Sequence, residues 1–219
     1  MMHEIMPNME HEITIREYTT ADVGSMVTMV PRAYAPGAHL LQIIPDTAAT
    51  RKWWELTYQA ALEDPAARIL VAVHNITDQI VGIFTMHYFD PSMPLSTSIC
   101  IIAAVPLTPD HHPSLAEAII KLKQERVDLM GTEPHYLIEL VGVDERYKTL
   151  GIGKLLTRRA CEIADENDAA IYLQTSAARE WYVSKLNLDF KTVRIEKGDL
   201  AGGTVVRARK SARQTFDEI

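Results

Sequence analysis

The chain has 219 residues, 47% apolar and 23% charged, with a net charge of −7. That length suits one large domain or two small ones, and such a domain buries about 70% of the surface its unfolded chain exposes, enough for a core without staples. The acidic balance speaks against nucleic-acid binding, which needs clustered cations. No apolar run reaches the roughly 18 residues of a membrane-spanning helix, so neither nucleic acid nor membrane is expected as a partner.

Residues 1–11 alternate Met with Glu and His and read as a flexible leader. They lack the apolar centre of a signal peptide and the Arg-rich face of a transit peptide, which predicts a cytoplasmic protein. Ile13 to Tyr18 reads as a short strand. Thr20 is placed to cap a helix with Asp22 in its first turn, and Val23, Met26, Val27 and Val30 share one face. Pro31 is expected to end or bend that helix. Residues 35–47 read as loop, and a second helix is predicted from Thr50 to about Leu62. Trp53 and Trp54 on it are expected in the core or a groove wall.

Ile69–His74 and Ile80–Phe89 are apolar runs around a turn-like stretch and read as an antiparallel hairpin. Gly82 in the second strand predicts a bulge or a close approach by another element. Residues 90–113 carry five prolines and form a lid or a packed insert. His111 and His112 lie there without a third ligand at useful spacing, so no metal site is expected. Ser114 and Glu117 have capping-box spacing before a helix with Leu115, Ile119, Leu122 and Leu129 inward and Gly131 at its stop. His135–Val143 is then a strand, Gly153 to about Asn167 a helix, and Ala169–Thr175 a strand, a unit long enough for a parallel crossover. Ala178–Leu186 reads as a short helix. Phe190–Ile195 and Thr204–Arg209 read as strands around a glycine turn, and residues 210–219 as a solvated basic tail. Cys100 and Cys161 form no C-x-x-C pair, and Cys161 fits a buried thiol in a helix. Asn75-Ile76-Thr77 matches the glycosylation pattern but has no secretion signal to support it.

The chemistry is concentrated in Val141–Leu156. A strand leads through Lys148-Thr149-Leu150-Gly151-Ile152-Gly153 into a helix. The first amides of a helix have no internal partner, the dipole adds partial positive charge there, and glycine lets a bulky anion approach the backbone. The segment therefore suits a pyrophosphate. It is neither a Walker A loop, because Lys148 and Leu155 stand at the required Gly and Ser/Thr positions, nor a dinucleotide fingerprint, because Leu156 stands at the third glycine. Glu139 alternates with Val141 and Val143 and is expected on their face, where apolar neighbours would raise its pKa and suit it to act as a base. The alternative is a rim carboxylate with no proton role.

The spacing from Val143 to Lys148-Thr149-Leu150-Gly151-Ile152-Gly153 resembles that of the GNAT superfamily of N-acetyltransferases, where Gln or Arg stands at the position of Lys148. The likeness runs forward through Tyr172-Leu173-Gln174-Thr175-Ser176 to Phe190, and more faintly back to Ile15–Asp22. In pattern it is nearest to GNAT-type enzymes of filamentous fungi. The resemblance implies an α/β (α+β) fold with a mixed, mostly antiparallel sheet flanked by helices, splayed between strands 135–143 and 169–175. Residues 12–209 would form a single domain.

It further implies acetyl-CoA as co-substrate, with pantetheine against Leu140, Val141, Gly142 and Val143. The pyrophosphate would lie on Lys148, Thr149, Leu150, Gly151, Ile152, Gly153 and Lys154. The acceptor would be the primary amine of a small molecule, and the enzyme a monomer or homodimer. Ala178-Arg179-Glu180-Trp181-Tyr182 resembles the family's tyrosine motif and implies Tyr182 as general acid. The end of that motif, Lys185-Leu186-Asn187-Leu188, fits only if Val183 takes the tyrosine position, and Asp189-Phe190 is the other candidate end. An O-acyl or longer-acyl transferase and a non-catalytic coenzyme A binder of the same fold remain as alternatives.

Overall fold

The computed structural model describes residues 12–34, 39–90, 100–175, 178–195 and 203–214. The leader 1–11, residues 91–99 of the proline-rich stretch and the glycine turn before residue 203 lie outside them. The strands β1 (Ile13–Glu17), β2 (Ala67–His74), β3 (Gln79–Phe89), β4 (His135–Val143), β5 (Ala170–Thr175), β6 (Lys191–Ile195) and β7 (Gly203–Arg207) form one sheet. Its order is β1-β2-β3-β4-β5-β7-β6. The β4–β5 pair is parallel and every other pair is antiparallel. Helix α5 (Ile152–Glu166) makes the crossover between the parallel strands, the long connection that parallel pairing requires.

Helices cover both faces. The β2 residues Leu70 and Ala72 join a core with Leu156 and Ala160 of α5. Ile69, Val71 and Val73 point the other way, into a core with Met26 and Val30 of α1 (Val23–Tyr34) and Trp53 and Tyr58 of α3 (Ala48–Glu63). A strand buried on both sides reads as a continuous apolar run, which is what Ile69–Val73 shows. Gly82 meets both expectations placed on it. The β2–β3 register shifts beside its partner Ala72. A Cβ on Gly82 would stand 3.0 Å from Ile152 and Leu156, so α5 packs directly on the strand there. Trp53 and Trp54 are buried as expected, and so is Cys161, whose thiol burial pushes up to about 12.

Several boundaries differ from expectation for physical reasons. Thr19, not Thr20, caps the first helical turn. Its backbone and hydroxyl both donate to Asp22, whose carboxylate also takes a two-pronged bond from Arg16. Helix α1 continues through Pro31 to Tyr34. Buried Val30 and Ala33 hold it on either side, and tertiary packing overrides the lost hydrogen bond. The expected loop 35–47 contains helix α2 (His39–Ile43), where Leu40 and Ile43 pack on the α1/α3 core. Helix α4 (Ser114–Met130) starts from Pro113, and no Ser114–Glu117 capping box forms; the Ser114 hydroxyl bonds the His112 ring instead. Gly131 ends it at φ +52. Leu129, expected inward, is exposed. The basic C-terminal run is not wholly a solvated tail. Arg207 is buried, and it and Arg213 of α6 (Lys210–Gln214) both bind Asp165.

Candidate active site

The parallel pairing of β4 with β5 runs from His135↔Ala170 to Ile138↔Leu173 and stops, although both strands continue. The fork opens at Glu139. On the other side, the β3 register steps from Met86↔Ile138 to Thr85↔Leu140, so Glu139 is the extra residue of a β-bulge. A bulge inverts the alternation of side chains beyond it. Glu139 therefore does not share a face with Val141 and Val143, as simple alternation predicts. Those valines pack toward the α5 core, whereas the Glu139 carboxylate turns to the face of Tyr58 and Ile101.

There it accepts hydrogen bonds from the backbone N–H groups of Ile101 (2.8 Å) and Ile102 (3.0 Å), at a short helical turn, Ile101–Ala103. Loss of water around the carboxylate outweighs these two bonds and raises its pKa to about 7. The residue keeps part of its surface open. It is thus a desolvated carboxylate at the fork.

The β4 residues past the fork bury their side chains and leave backbone facing the gap. Leu140 and Gly142 are buried on the α1 side, and Val141 and Val143 are half-buried on the α5 side. One of these backbone groups has a partner: the Tyr34 hydroxyl, at the end of α1, donates to the Val141 carbonyl. Tyr34 also lies within electrostatic reach of the Tyr58 and Tyr182 hydroxyls.

The loop after β4 is pinned at its root. Asp144 is buried and accepts from the Arg146 side chain and backbone, and from Arg32 of α1 at 2.8 Å. These cations hold its carboxyl well below the usual range. Lys148, Thr149, Leu150 and Gly151 then wrap toward α5 with Lys148 exposed. Thr149 takes φ +70 and Gly151 φ +80. A β-branched residue in that region is strained, a state found where function demands a loop shape. Nothing lies within 4 Å of a Cβ built on Gly151, so the glycine serves the backbone angle. Ile152 is buried as the first residue of α5, and its amide with those of Gly153 and Lys154 forms the helix's unpaired N-terminal turn. This open, backbone-lined helix start fits a pyrophosphate.

Tyr182 comes from a turn that also explains the register offset in the sequence. Residues Trp181–Lys185 form a π-helical turn, closed by the Leu186 N–H on the Trp181 carbonyl. Such a turn holds one residue more than an α-helical turn. That extra residue separates the Ala178–Tyr182 half of the motif from its Lys185–Leu188 half. Asn187 and Asp189, at the glycine positions of the two candidate motif ends, take φ of +54 and +63, angles that glycine favours. Tyr182 points inward, against Phe190 and Trp181, while Val183 is exposed. Burial raises the Tyr182 pKa. Trp181 lies against Gly153, tying this turn to the start of α5.

The sequence pattern of the acetyltransferase (GNAT) family matches residues 38–186. The chain belongs to the GNAT acetyltransferase family. Solved structures carry the same fold. A mosquito arylalkylamine N-acetyltransferase-like 5b protein superposes with a TM-score of 0.63 at 16% identity, covering 89% of this chain and 99% of its own. A histone acetyltransferase HPA2-related protein from Corynebacterium glutamicum gives 0.61 at 20% identity over 90% and 97%. The PaiA N-acetyltransferase of Thermoplasma acidophilum, solved with coenzyme A, gives 0.54 at 12% identity over 90% and 98%. No curated protein matches the sequence significantly. GNAT enzymes are acyltransferases that use acetyl-CoA. Among the described residues, no helix is long and apolar enough to cross a membrane.

Sequence reasoning missed Tyr34, Arg32 and the anchoring role of Asp144. Asp144 stood within the motif, but its partner is 112 residues away and nothing local marks the pair.

Proposed function

We propose that this chain transfers an acetyl group from acetyl-CoA to the primary amine of a small molecule by direct attack in a ternary complex. The observation that carries this reading is the fork between β4 and β5, with Glu139 at its root and an open helix start at its far end. Pantetheine would lie along Leu140–Val143 and the pyrophosphate on Lys148–Lys154.

The roles follow from the chemistry. The thioester supplies an activated acetyl carbon. The amine nitrogen bonds to that carbon as the C–S bond breaks. Glu139, ionised, takes the proton that the nitrogen sheds, directly or through water. The sulfur leaves as thiolate, and Tyr182 holds it by a hydrogen bond and supplies its proton, then recovers one from solvent. A raised phenol pKa keeps Tyr182 neutral, so that it can donate a hydrogen bond to the sulfur as charge develops there. The products are an amide and free coenzyme A.

Acetyl-CoA titration monitored by thermal unfolding tests the first half, because a ligand bound only to the native state must raise the midpoint. At a concentration about 100 times Kd the stabilisation is about 2.7 kcal/mol. Gly151→Val should abolish that shift. An unshifted wild type at saturating acetyl-CoA overturns the proposal. Release of free thiol that depends on an added amine tests the second half.

A further inference from the structure

Helix α4 belongs to the insert between β3 and β4 and sits on the sheet face to which Glu139 turns. It does not close tightly. A cavity of about 200 Å³ remains beneath it, walled by Phe89, Cys100, Ile119, Leu122 and Leu137. Arg126 lines the same cavity and is 5% exposed. Its guanidinium lies 3.5 Å over the Phe89 ring and donates one hydrogen bond, to His135 Nε2 at 2.9 Å. The other ring nitrogen of His135 faces the Glu133 carbonyl, so the ring is neutral and offers no countercharge. Among the described residues, no carboxylate lies within ion-pair distance of Arg126.

A guanidinium has five donors in a planar fork and keeps its charge when buried. Burying it without an anion is costly, and one carboxylate accepting two parallel bonds removes most of that cost. Lys123 also lines the cavity, which therefore has the chemistry of a carboxylate site with a largely apolar wall. It also adjoins the fork. Cys100 forms part of its wall, and the amide of the next residue, Ile101, holds Glu139. Leu137 forms another part, two residues before Glu139 on β4, a distance of about 7 Å along a strand. Cys100 lies within electrostatic reach of both Glu139 and Arg126.

We propose that this cavity is the acceptor subsite and that Arg126 anchors a carboxylate, so the acceptor is an amine bearing a carboxylate on an apolar stem. The proposal rests on the acetyl-transfer reading and narrows its substrate class. The spacing selects amino acids whose nitrogen and carboxylate stand several carbons apart over those that carry both on one carbon.

The test compares 6-aminohexanoate with hexylamine as acceptors, and follows hexanoate binding by thermal unfolding. The wild type should favour 6-aminohexanoate in kcat/KM by about tenfold or more, through KM, as expected for a charge-assisted bidentate anchor. Arg126→Met should bring the ratio near one. Should that variant fail to fold, Leu122→Glu places a carboxylate four residues before Arg126 on the same helix, where it fills the anchor from within and should also level the ratio. A wild-type ratio near one with both amines acetylated overturns the subsite and leaves acetyl transfer standing. If neither amine is acetylated, a hexanoate stabilisation that Leu122→Glu removes keeps the anion site and overturns the transferase reading. Neither acetylation nor stabilisation overturns both.

Discussion

The hydroxyl of Tyr34 donates to the backbone carbonyl of Val141, joining the end of α1 to the strand edge where β4 and β5 separate. Tyr34 thereby satisfies a carbonyl that has lost its sheet neighbour on one side and stands on the proposed path of pantetheine.

Tyr34→Phe should destabilise the unliganded protein by about 1–2 kcal/mol, the usual consequence of leaving a buried acceptor unpaired. Acetyl-CoA should stabilise the variant more than the wild type, since an amide of pantetheine can take over the vacated carbonyl. Thermal unfolding with and without the cofactor measures both. Equal gains in the two proteins would separate Tyr34 from the cofactor path.

Glu139 sets a pH dependence whose sign follows from its raised pKa. The carboxyl is protonated below about 7 in the native state, so the base is lost as pH falls through that value. The acid limb of kcat/KM should therefore turn near pH 7. Glu139→Gln should lower kcat by about 10²–10⁴, the usual contribution of a positioned general base, and flatten the limb. Stability runs the opposite way. The neutral form contributes fully below the ordinary carboxylate value, and the contribution disappears as pH rises through about 7.

Asp144 is the reverse case. Arg146 and Arg32 depress its pKa, so its contribution is present above the ordinary carboxylate value and lost as pH falls toward the depressed one. Asp144→Asn should cost about 2–3 kcal/mol, because a buried carboxylate loses its charge while two partly exposed arginines lose an anchor. It should also weaken acetyl-CoA binding, since Lys148–Lys154 depends on that root for its shape. Calorimetric unfolding and cofactor titration check the two parts. Intact cofactor affinity in the variant would show that the loop holds its shape without the root.

Tyr182→Phe should lower kcat more than it changes the KM for either substrate, because its hydroxyl matters only as charge develops on sulfur. Val183→Ala, one residue on and exposed, should leave turnover within about twofold, as surface changes usually do. A panel of thioesters with different leaving-group pKa values sharpens the test. The defect should be smallest for thiols that leave easily, and a uniform defect would place Tyr182 outside the proton path.

The amino-acid sequence by itself determined the strands, the crossover helix and the anion-ready loop, because each is written in neighbouring residues. Two-sided burial gives the apolar runs of β2 and β3. Strand, glycine-bearing turn and amphipathic helix give the unit from His135 to Glu166. The left-handed angle at Gly151 is a local demand that a glycine answers locally.

What surrounds that loop was settled only when distant segments met. One bulged residue sends the Glu139 side chain to the face opposite Val141 and Val143, and alternation along β4 carries no sign of the extra residue. A π-helical turn absorbs the residue that left Tyr182 and Val183 competing for one role. Tyr34 reaches Val141 across 107 residues and Arg32 reaches Asp144 across 112. Arg126 reads in the sequence as an ordinary helix cation, and only the packing of α4 over Phe89 makes it a buried charge with no anion among the described residues. Local periodicity fixes which residues face inward, but partners are fixed by closure of the whole sheet, and the chemistry at the fork belongs to those partners.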